Sequence, residues 1–260
     1  MRSQLSEFSY GYAVVEAFGR RWRPKLLAAP VLPSLVQEGR ADGGYDVLLQ
    51  RPGILMFLQF KVPENLTRSN AREAKLGILA TPYFRFHLMT LGSPQHNLLV
   101  SLDNGSNVVR YVAPLFHRLT ELDEAYRQDQ VLQRSIFIRP QRIGAYTDEK
   151  QHVVVFRNRA TWFAISEPRA HRGRADEGAV EAEVDAAIRE HGRTALGDQR
   201  LLALRSEIIT MLALHFSSRR QPFDFPPSGL SPQFRGPLED IAYLSRTYLS
   251  AETLIVSAGK

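Results

Sequence analysis

Leu55-Met-Phe-Leu-Gln-Phe-Lys-Val62 is the stretch on which the reading of this chain turns. Side chains of a strand alternate between its two faces, so Met56, Leu58, Phe60 and Val62 share one side and Leu55, Phe57, Gln59 and Lys61 the other. Both faces are apolar apart from one amide and one ammonium. A buried ammonium is costly without a partner, so an anionic group is expected opposite Lys61. The preceding apolar run, Tyr45-Asp-Val-Leu-Leu49, contains Asp46, and the turn-forming Gln50-Arg-Pro-Gly53 between the two runs predicts a hairpin that sets them side by side.

A third isolated charge lies upstream. A helix is expected from Ser6 to Phe18, with Ser6 as N-cap and Gly19 as its stop. At about 100° per residue, Glu7 falls in the apolar stripe with Gly11, Val14 and Phe18, while Glu16 lies on the opposite side as the ordinary surface carboxylate. Glu7, Asp46, Gln59 and Lys61 could thus converge at one sheet edge. On residue types alone, a structural ion-pair cluster explains them as well as a functional site does.

Working outward, Val31 to Val36 is a further strand, and the region after Pro63 carries Arg68, Arg72 and Lys75 before an extended segment from Tyr83 to Leu91. Ser93 and Pro94 start a helix through Leu98, Leu99 and Leu102 that Gly105 ends, and Val108 to Val112 is a strand. The order is α, β, β, β, an insertion, α, β, which belongs to an α/β protein. A charged helix over Thr120 to Gln128 precedes strands at Ser135 to Ile138, Val153 to Phe156 and Thr161 to Ile165. Residues 166–180, with Arg169, Arg172 and Arg174, read as a basic linker after a first domain over 1–165. A helical C-terminal region over 181–260 then has helices at Val180 to Glu190, Asp198 to His215 and Pro237 to Leu249.

The 260 residues include no cysteine, which excludes disulfide scaffolds, thiolate zinc sites and cysteine nucleophiles. The longest nearly apolar run, Gly53 to Phe60, falls short of the roughly 20 residues of a membrane span, so no membrane association is expected. No leader pattern opens the chain, which predicts a cytoplasmic protein. Lys and Arg number 33 against 27 Asp and Glu, a net charge of +6 that would favour an acidic polymer without by itself identifying one. The seven histidines show no paired ligand spacing. No GxSxG, Walker-type or GxGxxG motif occurs. His96, with Gln95 at the start of the Ser93 helix, fits a structural role better than a phosphate contact.

Asp46, with Gln59-Phe-Lys61 following 13 positions later and a helix carrying Glu7 before both, resembles the active-site pattern of the PD-(D/E)xK nuclease superfamily. Gln-x-Lys after a Gly-Tyr-Asp turn is most similar to the Mrr-type restriction endonucleases, in which Gln replaces the usual acid. Tyr45 stands where a proline would precede the aspartate, and an insertion separates Lys61 from the Ser93 helix. The resemblance implies a restriction-endonuclease-like αβββαβ core and a DNA endonuclease of restriction or antiviral defence that uses Mg²⁺ or Mn²⁺. It implies Asp46 as main metal ligand, Gln59 as a carbonyl ligand and Glu7 as an outer ligand, with Lys61 orienting the attacking water or stabilising the transition state. Arg169, Arg172 and Arg174 would track the DNA backbone. A catalytically silent member serving as a nucleic-acid-binding or assembly subunit, with a defence partner or as a homo-oligomer, is the alternative.

Overall fold

A computed structural model describes residues 3–22, 53–88, 93–148, 150–166, 169–174, 179–191, 198–223, 225 and 236–256. The chain starts with α1 (Glu7–Trp22), β1 (Ile54–Phe60), β2 (Glu64–Leu66), α2 (Arg72–Lys75) and β3 (Tyr83–Leu88). It continues through α3 (Gln95–Leu102), β4 (Val108–Pro114), α4 (Leu119–Arg127), β5 (Ser135–Ile138) and α5 (Pro140–Ile143). Then come β6 (His152–Phe156), β7 (Thr161–Ser166), β8 (Arg169–Arg174), α6 (Ala179–His191), α7 (Asp198–Ser218), α8 (Pro237–Leu249) and β9 (Ala251–Val256). The architecture is mixed α/β with two sheets.

The first sheet has the order β5-β4-β1-β9. β1 and β4 run parallel, from Met56 opposite Val108 to Phe60 opposite Val112, and α3 lies on the crossover between them. Alternation decides what covers each face. Ile54, Met56, Leu58 and Phe60 pack with Tyr10, Val14 and Phe18 of α1 and with Val184 and Ile188 of α6. Leu55 and Phe57 pack with Leu99 of α3, Ile208 of α7 and Ile241 of α8. α6 is further tied to the sheet by an ion pair between Glu183 and the buried Arg110 of β4.

The second sheet, β2-β3-β6-β7-β8, is antiparallel throughout, and Phe86, Phe156 and Trp162 on one of its faces join the core that α3, α7 and α8 share with β1. The insertion after Lys61 therefore supplies β2 and β3 of a sheet that sequence reading did not separate from the first. At its outer edge Glu73 accepts hydrogen bonds from Tyr83 Oη at 2.9 Å and Arg85 at 3.1 Å, and Arg85 also holds Glu64 at 2.7 Å.

Four expectations change. Both flanks of β1 are hydrogen-bonded, to β4 and to β9, so the place expected for the Tyr45 to Leu49 strand beside Ile54–Gln59 is taken by a strand from the other end of the chain. Residues 169–174, expected within a linker, form β8, because Ala170 and Arg172 continue the ladder opposite Ile165 and Phe163. Gly19 lies inside α1 rather than ending it, with no atom within 4 Å of where a Cβ would stand. The C-terminal region, expected to be helical, ends in the strand β9, and its helix α7 is by length and composition apolar enough over Gln199–Ser218 to cross a membrane, where no run of that length was expected. Leu201, Leu204, Ile208 and Leu212 of α7 are buried in the core shared with β1.

Candidate functional site

Lys61 stands one residue past β1, where its backbone N–H donates to Val112 O at 2.9 Å and extends the parallel ladder. This is the carboxyl end of a strand in a parallel β-α-β unit, the position at which open α/β sheets gather their ligands. The side chain is only 8% exposed. Burial pushes its pKa below the ordinary lysine value, and the negative field of Glu7 pushes it partly back. Among the described residues its ammonium has no hydrogen-bond or ion-pair partner.

Glu7 reaches Lys61 through its field because of how α1 crosses the sheet. Gly11 lies against the Phe60 ring, so close that a Cβ there would stand 2.7 Å from Cδ2. The turn before Gly11 therefore projects past the end of β1, and its residues Ser6 to Ser9 are exposed. Glu7 has the expected angular position but is exposed, whereas Glu16 is half-buried and paired with Arg20 at 2.9 Å. The expected contrast between an inward Glu7 and a wet Glu16 is reversed, since a helical stripe is covered only as far as the sheet beneath it extends.

Gln59 is fully buried on the opposite face from α1 and donates from Nε2 to Leu249 O at 2.6 Å, where α8 ends. A carbonyl can only accept, so this bond fixes the amide orientation and leaves Oε1 buried without a partner. Gln95, at the start of α3 and 6% exposed, does the same one residue on: its Nε2 donates to Ser250 Oγ at 2.9 Å and its Oε1 is also buried without a partner. Gln95 was noticed in the sequence only as a neighbour of His96.

His96 is structural, as its sequence context suggested. Nε2 lies 2.7 Å from Gly144 O, so it carries the proton, and Nδ1 accepts from Tyr111 Oη at 2.8 Å. Burial lowers its pKa to about 4, with the charges of His152 and Lys61 acting in the same direction. Loop 144–148 is fastened to α3 by this bond and by Asn97, which donates to Tyr146 O at 2.7 Å and accepts from Tyr146 N at 3.0 Å. Tyr146 stacks on His152, which Asp148 holds at 2.6 Å.

The four expected site residues are therefore only partly assembled. The negative field of Glu7 reaches Lys61. Gln59 lies across the sheet from α1, and Asp46 lies outside the described residues. No three His, Asp or Glu side chains form a metal-binding group among the described residues. The chemistry proposed below runs through Lys61. Of the three linker arginines, Arg172 is exposed on β8 and lies over the Phe163 ring, and Arg169 and Arg174 occupy the ends of the same strand. No protein-family model, curated protein or solved structure matches this chain.

Proposed function

We propose that this chain is a nuclease-type protein that engages nucleic-acid phosphodiesters at the Lys61 end of the first sheet and hydrolyses them. The observation that carries this reading is the largely buried Lys61, whose ammonium has no hydrogen-bond partner among the described residues, at the carboxyl end of a parallel strand. A non-bridging phosphate oxygen is the acceptor that such a group lacks. In a desolvated setting the ammonium interacts more strongly with charge developing on that oxygen than it would in water. The resemblance adds DNA as polymer and cytoplasmic defence as setting. A second reading, binding without cleavage, is favoured by the single carboxylate, Glu7, whose field reaches Lys61 among the described residues.

The test incubates purified protein with single- and double-stranded DNA and RNA in Mg²⁺ or Mn²⁺, beside Lys61→Met and Asp46→Ala. Cleavage by the wild type that Lys61→Met loses while remaining folded supports hydrolysis. Binding that depends on Lys61, without cleavage, selects the second reading. Neither binding nor cleavage would overturn both.

A further inference from the structure

At the turn between β6 and β7 the second sheet gathers arginines from two segments of the chain. Gly173 lies so close to the Trp162 indole that a Cβ would overlap it, which holds Gly173 opposite Trp162 on the core side of the sheet. Alternation then puts Arg172 on the outer side with Phe163, and Arg174 takes the register position opposite Thr161. β6 pairs Val155 with Phe163, and continuing that register past the strand sets Arg157 level with Thr161. Asn158 closes the turn between them, its Oδ1 accepting from Ala160 N at 3.0 Å and from Thr161 N at 3.1 Å. Arg157, Arg159, Arg172 and Arg174 therefore share one corner, whereas Arg169 falls at the other end of β8. Strands about 4.8 Å apart and residues about 3.3 Å apart along each put the Cα atom of Arg157 roughly 10 Å from that of Arg174, with Arg172 roughly 7 Å further along β8.

Charge sets this corner apart. Elsewhere Arg20, Arg85, Arg134, Arg139, Arg205 and Arg246 each hold a carboxylate within 3.5 Å. Arg157, Arg159 and Arg172 hold none among the described residues, and Arg172 lies instead over the Phe163 ring at 6.0 Å. Arg157 and Arg172 are exposed and Arg159 is half-buried, so all three are open to solvent. Like charges set on neighbouring strands without counter-charges repel, which points to an anion supplied from outside.

The residue types select that anion. Arginine forks fit phosphate and carboxylate oxygens in pairs. A protein interface centres on a desolvated aromatic or aliphatic anchor, and a membrane contact needs an apolar face to insert. The turn, Arg157-Asn-Arg-Ala160, offers neither, and Phe163 is half-buried with Arg172 over it. A nucleic-acid backbone requires neither, because its phosphates supply non-specific affinity by charge alone.

Resting on the nucleic-acid reading above, we propose that this corner is a second contact surface for nucleic-acid backbone, on the other sheet from Lys61. Arg157, Arg159 and Arg172 take phosphate oxygens without reading sequence, and they hold the polymer independently of the Lys61 end.

The experiment titrates labelled 20-mers of one sequence, as single-stranded DNA, duplex DNA and single-stranded RNA, with the full chain over a range of salt, read by fluorescence anisotropy. A variant carrying Arg157→Gln, Arg159→Gln and Arg172→Gln is compared with Lys61→Met and with a control carrying Arg118→Gln, Arg127→Gln and Arg189→Gln, which removes the same charge from exposed arginines elsewhere. The expected result for the corner variant is binding weaker by about tenfold or more at moderate salt. Its slope of log affinity against log salt should be shallower by about 0.9 per phosphate lost on duplex and 0.7 on single strands, with the control close to wild type. Should the corner variant fail to fold, Arg157→Gln and Arg172→Gln singly carry the test, each removing about one phosphate from the slope. Corner and control variants that weaken binding equally would overturn this surface and leave the nucleic-acid reading standing. Loss in the corner variant with none in Lys61→Met would uphold this surface and overturn the Lys61 assignment. No binding of any of the three polymers would overturn both, and capture of phosphatidylserine vesicles in their place would assign the corner to a membrane.

Discussion

A buried ammonium loses hydration that the field of Glu7 restores only in part, so Lys61→Met should melt at the same temperature as the wild type or higher while losing nucleic-acid function. The pH dependence has a definite sign. With the folded pKa below the ordinary lysine value of 10.5, the unfolded chain binds more protons between the two values, and wild-type stability rises with pH across that window. Urea unfolding of both proteins from pH 7 to 10.5 should show the advantage of Lys61→Met shrinking as pH rises; a constant difference would mean a solvated ammonium. His96 acts at the other end of the scale. Its folded pKa of about 4 lies below the unfolded 6.5, so stability is complete above 6.5 and is lost as pH falls toward 4. His96→Gln, which cannot titrate, should flatten that acid limb by something of order 1–3 kcal/mol, measured as the slope of unfolding free energy against pH.

Two glycines of α1 separate packing from propensity within one element. At Gly11 a Cβ would meet the Phe60 ring at 2.7 Å, and overpacking of that kind costs about 1–3 kcal/mol, more than the roughly 1 kcal/mol that alanine gains in a helix. At Gly19 nothing lies within 4 Å, so only the propensity gain remains. Gly11→Ala should lower the melting temperature and Gly19→Ala should raise it; two shifts of the same sign would show that α1 does not cross β1 at Phe60. β9 is the other decisive element. Deleting residues 251–260 removes the buried Leu254, Ile255 and Val256, each worth roughly 1.5–3 kcal/mol, and bares a flank of β1. Against a typical total stability of about 5–15 kcal/mol, the truncated chain should aggregate or lose its cooperative melt, read by circular dichroism and size-exclusion chromatography.

For the whole molecule, the net charge of +6 predicts association governed by ionic strength rather than by one contact. The logarithm of single-strand affinity against that of salt should fall by about 0.7 per phosphate neutralised. Arg172 is exposed on the edge strand β8, so Arg172→Glu should flatten that slope by about one phosphate if the second sheet belongs to the footprint. An unchanged slope would confine binding to the first sheet.

What the sequence by itself determined is local. Ser135–Ile138 and Pro237–Leu249 have the limits their patterns predict, because a two-residue alternation and a proline at the first helical turn act over a few neighbours. The anomaly of Lys61 was equally legible, since charge in an apolar strand is visible without knowing what covers it. Partnership was not. Ala251-Glu-Thr-Leu-Ile-Val256 resembles any short apolar run, and only the folded chain sets it beside β1, where the Asp46 strand was expected. The exposure of Glu7 depended likewise on where the sheet beneath α1 ends. The unpaired oxygens of Gln59 and Gln95 depended on where α8 meets β9. Strand neighbours and buried hydrogen-bond partners are chosen between segments far apart in the chain, 190 residues from Gln59 to Leu249, by packing and polar satisfaction over the whole core, and no local pattern encodes that choice.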